Sequence, residues 1–231
     1  MSARVHALLV VRPEGRTAAA AHLERTLSAL AAQTRQVDAL TIVLCGGDAA
    51  LTQLVTASGA EGVITAGAST SFADAVRLAS VRISGEFVWL LAQDTAPEPE
   101  ALQRLLAGLE RAPSVAVVAP KLVEWDEPAR IVSLGVTMTP FGRSVELVQD
   151  ELDQGQHDGD EDVLGADVRG VLVRADLWRT LRGVDPALGG ADEGLDLGVR
   201  ARLAGHRVSL VPTARVAVAG DGVQAVVADL R

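Results

Sequence analysis

Short β-branched or apolar runs alternate with longer stretches of helical periodicity, and this alternation limits the fold more than any other feature of the chain. A strand apolar on both faces must be covered on both sides, and helical crossovers supply that cover in a parallel sheet. Val5–Val11, Leu40–Leu44, Gly62–Thr65, Phe87–Leu91 and Val115–Ala119 read as strands, with Phe87–Leu91 central because it is apolar on both faces and Val115–Ala119 also buried. Between them, Arg16–Thr34, Ala49–Ser58, Ser71–Ser84 and Glu100–Arg111 carry helical spacing, the last opened by Pro97 and Pro99. The pattern predicts an α/β fold with a mostly parallel central sheet flanked by helices. At 231 residues the chain suits one large domain, with 1–120 forming one half and 121–231 the other.

Past Lys121 the character changes. Ile131–Thr139 reads as a strand, and Gln149–Asp162 is polar, acidic and broken by glycines, which predicts a mobile loop. Val168–Arg174 returns as a strand, Ala175–Leu181 and Leu195–Ala204 as helices, and Arg207–Val211 as the last clear strand, with Val216–Val218 extending it. Gly222–Arg231 is apolar and short and ends without a polar tail, which predicts a domain excised from a longer protein.

A net charge of −9 with no basic run argues against nucleic acid as a partner, since clustered Lys and Arg drive that binding. Cys45 is the single cysteine and has no partner for an internal disulfide, which fits a reducing, cytoplasmic setting. The apolar run before Arg12 is too short for a signal or a span, and no later run reaches the length needed to cross a bilayer. The four histidines share no ligand spacing with one another or with Cys45, so zinc is not expected. Gly46-Gly47 lacks a phosphate-loop pattern and reads as a tight turn.

In an open α/β sheet ligands sit beyond the carboxyl ends of the strands. The segment after Phe87–Leu91 places Gln93 and Asp94 at such an end. A carboxylate there has two readings: a ligand for a hard divalent cation that bridges phosphates, or a turn and cap residue before Pro97. Arg12, at the end of the first strand, reads either as a diphosphate contact or as a solvated, salt-bridged arginine. Asp192 and Glu193 open a late helix, where acids serve either as a general base or as complements to the helix dipole. Asp74 with Arg77, and Asp196 with Arg200, are spaced for ion pairs on one helix face.

The order of these features resembles the family 2 glycosyltransferases of the GT-A fold. The resemblance is carried by Thr26–Thr34, Ser84–Leu91, Gln93-Asp94-Thr95, Gly170–Arg174, Leu181–Asp185 and Asp192–Val208, and it covers almost the whole chain. It implies a nucleotide-sugar donor, a hydroxyl acceptor and a divalent ion, Mn²⁺ or Mg²⁺, held by an Asp-X-Asp-like segment. Here that segment is Gln93-Asp94-Thr95, so Asp94 becomes the implied metal ligand, with Gln93 and Arg12 beside it on the donor. With one carboxylate left, metal-free binding stays open. The base that deprotonates the acceptor is implied at Glu193 or Asp192, because Gly194 occupies the usual place of the catalytic Asp. The ends of strands one and two, Val11-Arg12-Pro13 and Leu44-Cys45-Gly46, also depart from the family's base-recognition pattern. The resemblance therefore implies either an enzyme, in cell-surface polysaccharide synthesis and attached to a longer protein at the inner face of a membrane, or a degenerate relative kept as a binding or scaffolding module.

Overall fold

The computed structural model describes residues 3–13, 18–159, 162–190 and 192–219. Its strands, in chain order, are β1 Val5–Val11, β2 Ala39–Cys45, β3 Gly62–Ala66, β4 Phe87–Ala92, β5 Thr95–Pro97, β6 Val115–Glu124, β7 Arg130–Ser133, β8 Val136–Met138, β9 Ser144–Glu146, β10 Glu151–Leu152, β11 Asp162–Val163, β12 Leu172–Arg174 and β13 Arg207–Val218. The helices are α1 Ala19–Ala31, α2 Ala49–Ala57, α3 Phe72–Ser80, α4 Ala101–Glu110, α5 Ala175–Leu181 and α6 Glu193–Leu203.

The main sheet runs β10-β7-β6-β12-β4-β1-β2-β3, and β13 lies parallel against β6. β3, β2, β1 and β4 are mutually parallel. β12 enters antiparallel between β4 and β6, so the segment leading into it arrives at the same sheet edge where β1 and β4 end.

Side-chain alternation along β1 explains the layering. Ala7 and Leu9 pack with Trp89 and Leu91 against Leu23 of α1 and Leu102 and Leu105 of α4. Leu8 and Val10 pack with Val88 and Leu90 against Phe72 and Val76 of α3 and Leu197 of α6. Both faces of the sheet are thereby covered, as strands apolar on both faces require. Local chemistry sets several boundaries. Asp48 caps α2 through Leu51 N, and Ser71 caps α3 through Asp74 N. Arg77 pairs with Asp74 at 2.8 Å, and Arg200 donates to Asp196 at 2.8 Å, as their spacing predicts.

The second half departs from the sequence reading in three places. The strand expected over Ile131–Thr139 is two strands, β7 and β8, in separate sheets, broken at Leu134-Gly135. Val168–Arg174 narrows to β12, because Gly170 at φ +81° kinks the chain before it. The acidic stretch after Gln149 is tied down. Buried Lys121 pairs with Asp153 at 2.8 Å and Asp158 at 2.7 Å, and Arg215 pairs with Asp153 at 2.8 Å. Pro97, expected to help open α4, instead lies in β5 against Val216. The start of the first helix expected at Arg16, and the apolar end at Gly222–Arg231, lie outside the described residues. Among the described residues no helix is long and apolar enough to cross a membrane.

Candidate functional site

The turn after β4 is held rigidly from three sides. Gln93 N donates to Val10 O at 2.9 Å, Thr26 Oγ1 donates to Gln93 O at 2.7 Å, and Ala219 N donates to Asp94 O at 3.0 Å. Gln93 Nε2 reaches the end of β1 and donates to Arg12 O at 2.9 Å. Gln93, Asp94 and Thr95 are all buried. The two strand ends that carry Arg12, Gln93 and Asp94 are thus fastened to each other by backbone and amide bonds, which fixes where their side chains can point.

Opposite Asp94 stands a buried cation. Arg169 is 1% exposed and Asp94 0%, and Arg169 Nη1 lies 3.7 Å from Asp94 Oδ2. Asp167 grips the same guanidinium, accepting from Nε at 3.1 Å and from Nη2 at 2.8 Å. The approach depends on Gly170: Trp89 Nε1 donates to Gly170 O at 3.0 Å, and Gly170 N donates to Leu90 O at 2.8 Å. A Cβ at Gly170 would lie 2.8 Å from Pro120 Cγ, so the turn that delivers Arg169 has no room for a larger residue.

Glu193 opens α6 and is buried at 3% exposure. Burial, and then the neighbouring Asp167 charge, push its carboxyl up to about 7, while the Arg12 guanidinium and the Gly190 backbone hold it back in part. Glu146, on β9, is likewise pushed up to about 7 by burial, with Asp167 and Asp192 adding to the rise and Ser133 and Arg169 opposing it. Asp192 precedes α6 at φ +55°, a left-handed conformation that costs a non-glycine residue, and its side chain makes no capping bond.

All five residues singled out in the sequence therefore belong to one neighbourhood. Gln93 bonds Arg12, Arg12 acts on Glu193, and Asp94 faces Arg169. Asp167 links Arg169 to Glu193, and Asp192 reaches the group through Glu146. Three members escaped the sequence reading: Asp167, Arg169 and Glu146. The Asp-X-Arg pair inside an otherwise apolar stretch, 163–174, was the available signal for the first two. Glu146 gave none, since it sits in a short hairpin of mixed polarity.

Several buried polar atoms here make no hydrogen bond among the described residues: Arg12 Nε, Gln93 Oε1 and Arg169 Nη1. An unmet buried donor or acceptor costs about 1–3 kcal/mol. These unmet atoms gather where the ends of β1 and β4 meet the segment leading into β12.

Gly194 is fixed by packing. A Cβ there would fall 1.7 Å from Ala166 O, so α6 can lie on this carbonyl only with no side chain at that position. Among the described residues no group of three or more His, Cys, Asp or Glu side chains is placed to hold a metal ion. An ion on Asp94 would also approach Arg169, and even unit charges about 4 Å apart repel by about 4 kcal/mol at a partly screened site.

Comparison with known proteins gives the same fold. The model of the family described as "Glycosyltransferase like family 2" matches residues 2–222. The solved structure of GalNAc-T7 with UDP, GalNAc and Mn²⁺ superposes with a TM-score of 0.71 at 12% identity, over 94% of this chain and 44% of that one. The S. aureus TarS structure superposes with a TM-score of 0.64 at 16% identity, over 93% and 37% of the two chains. The chain thus spans less than half the length of either. No curated protein matches the sequence.

Proposed function

Because the chain belongs to the glycosyltransferase like family 2, with the GT-A fold of its structural neighbours, we propose that it transfers a sugar from a nucleotide-sugar donor to a hydroxyl acceptor. The observation that carries this reading is the group of unmet buried polar atoms at the carboxyl ends of β1 and β4, the edge where α/β sheets take ligands. Arg12, Gln93, Asp94 and Arg169 form the donor side, drawn mainly from 1–120, and the acceptor approaches from 121–231.

Glu193 is the base. It takes the proton of the acceptor hydroxyl as that oxygen forms its bond to the anomeric carbon, and the bond to the diphosphate oxygen breaks with its electron pair leaving on the diphosphate. A carboxyl held near 7 suits this work, because it is ionised for part of the population and still basic enough to accept a proton. Asp192 serves as a positioning residue at the strained entry to α6. Mn²⁺ or Mg²⁺ enters the reading as an addition to be tested, and no step is routed through it. Synthesis of a cell-surface polysaccharide, at the cytoplasmic face of a membrane and within a longer protein, is the setting we assign.

One observation favours a second reading. Gly194 leaves no side chain where the family's catalytic Asp would stand, which suits a relative kept as a binding or scaffolding module. The two separate in one experiment. Melting curves with a panel of nucleotide diphosphates and their sugars, with and without Mn²⁺ or Mg²⁺, should shift upward by several degrees for at least one nucleotide, since a ligand of the native state raises its stability. No shift with any of them sinks the donor-site reading. A shift without sugar transfer or donor hydrolysis supports the binding module.

A further inference from the structure

We propose that Arg169, clamped by Asp167 and facing Asp94, supplies the positive charge a donor diphosphate needs, so that nucleotide binding by this chain does not depend on a divalent ion. The inference rests on the donor-site reading above. It starts from the only carboxylate of Gln93-Asp94-Thr95, which meets a guanidinium rather than open space: Arg169 Nη1 lies 3.7 Å from Asp94 Oδ2. Arg169 is buried, and its Nη1 makes no hydrogen bond among the described residues. Nε and Nη2 are spent on Asp167, which leaves Nη1, facing Asp94 at 3.7 Å, as the donor without a hydrogen bond.

The chemistry of that edge fits phosphate. A guanidinium is permanently charged, and its planar donors match phosphate oxygens. Arg12, whose Nε is also unmet, stands at the neighbouring strand end. Arg169 lies between two carboxylates, Asp94 and Asp167. A divalent ion brought to Asp94 would add two charges beside a cation already in place. Asp167 acts here as a positioning residue that sets the guanidinium plane, and Gly170 permits the turn that brings it to the strand ends.

The test is calorimetric titration of the purified chain with UDP, GDP, ADP, CDP and dTDP, in EDTA and again in MnCl₂. For the nucleotide that binds, the two dissociation constants should agree within about twofold, where a metal-dependent site would differ by tenfold or more. Asp94→Asn, nearly isosteric, should bind more tightly than the parent in EDTA, by about threefold or more, because it removes a negative charge from beside the phosphate. Arg169→Lys, which keeps the charge but loses the planar fork, should weaken binding by about tenfold. Binding that appears only with Mn²⁺ overturns the proposal and leaves the donor-site reading standing. An Asp94→Asn that binds no more tightly than the parent, or an unchanged Arg169→Lys, also overturns it. No binding by any nucleotide in either condition overturns both readings.

Discussion

Glu193 and Gly194 stand side by side and answer to different forces. Glu193 holds its proton more tightly in the folded chain, near pH 7, than in the unfolded chain, where an ordinary glutamate titrates near 4.5. Folding therefore takes up a proton between those values. This group's contribution to stability is complete below about pH 4.5 and is lost as pH rises through about 7. Glu193→Gln should match the parent near pH 4 and exceed it in stability at pH 8, measured by urea unfolding across that range. Equal stability of the two at pH 8 would contradict the buried, proton-holding carboxyl. Sugar transfer, by contrast, should fall steeply in the same variant. At Gly194 the force is steric. Gly194→Asp restores the family's usual acid on paper, yet its Cβ has the Ala166 carbonyl in its way. The variant should lose more than about 3 kcal/mol in the same unfolding assay and gain no activity. A stable, more active Gly194→Asp would show that α6 can shift to make room.

At the scale of elements, the stretch from Gln149 to Asp162 shows how a polar composition misleads. Read alone, it has little to bury, and its glycines and acids predict a mobile loop. Its anchors lie elsewhere in the chain: Lys121 at the far end of β6, and Arg215 beyond the bulge of β13. Neither can be inferred from the stretch itself, because both depend on β6 and β13 running side by side. Lys121→Met should release the segment. Hydrogen exchange over 150–159 should rise by an order of magnitude or more while β1 and β4 stay protected, and global stability should drop by about 1.5–3 kcal/mol through the lost charge-assisted bond to Asp153, which keeps Arg215 as its remaining cation. Unchanged exchange there would mean that Arg215 alone holds it. β1, β2, β4 and β6 were legible for the opposite reason: each is a run of apolar residues buried on both faces, and that pattern is local. β5 escaped notice because three residues ending in a proline carry no periodicity, and β13 read as two pieces because its bulge at Val211 to Arg215 interrupts the pattern.

For the molecule as a whole, topology assembles the site. β12 enters antiparallel between β4 and β6, which returns Asp167 and Arg169 to the edge where β1 and β4 already present Arg12, Gln93 and Asp94. The sequence placed Asp94 at a strand end and Glu193 at a helix start, and both positions hold. The cation opposite Asp94, 75 residues further along, became visible only once the sheet order was known. The central claim is that donor binding occurs at this edge, and hydrogen exchange with and without the nucleotide sugar that raises the melting temperature tests it most directly. Amides of Gln93–Thr95, Arg169–Val171 and Glu193–Leu195 should gain protection together. Protection confined to the groove at the opposite end of β2, beside Asp38, Ala39, Gly59 and Glu61, would contradict the account.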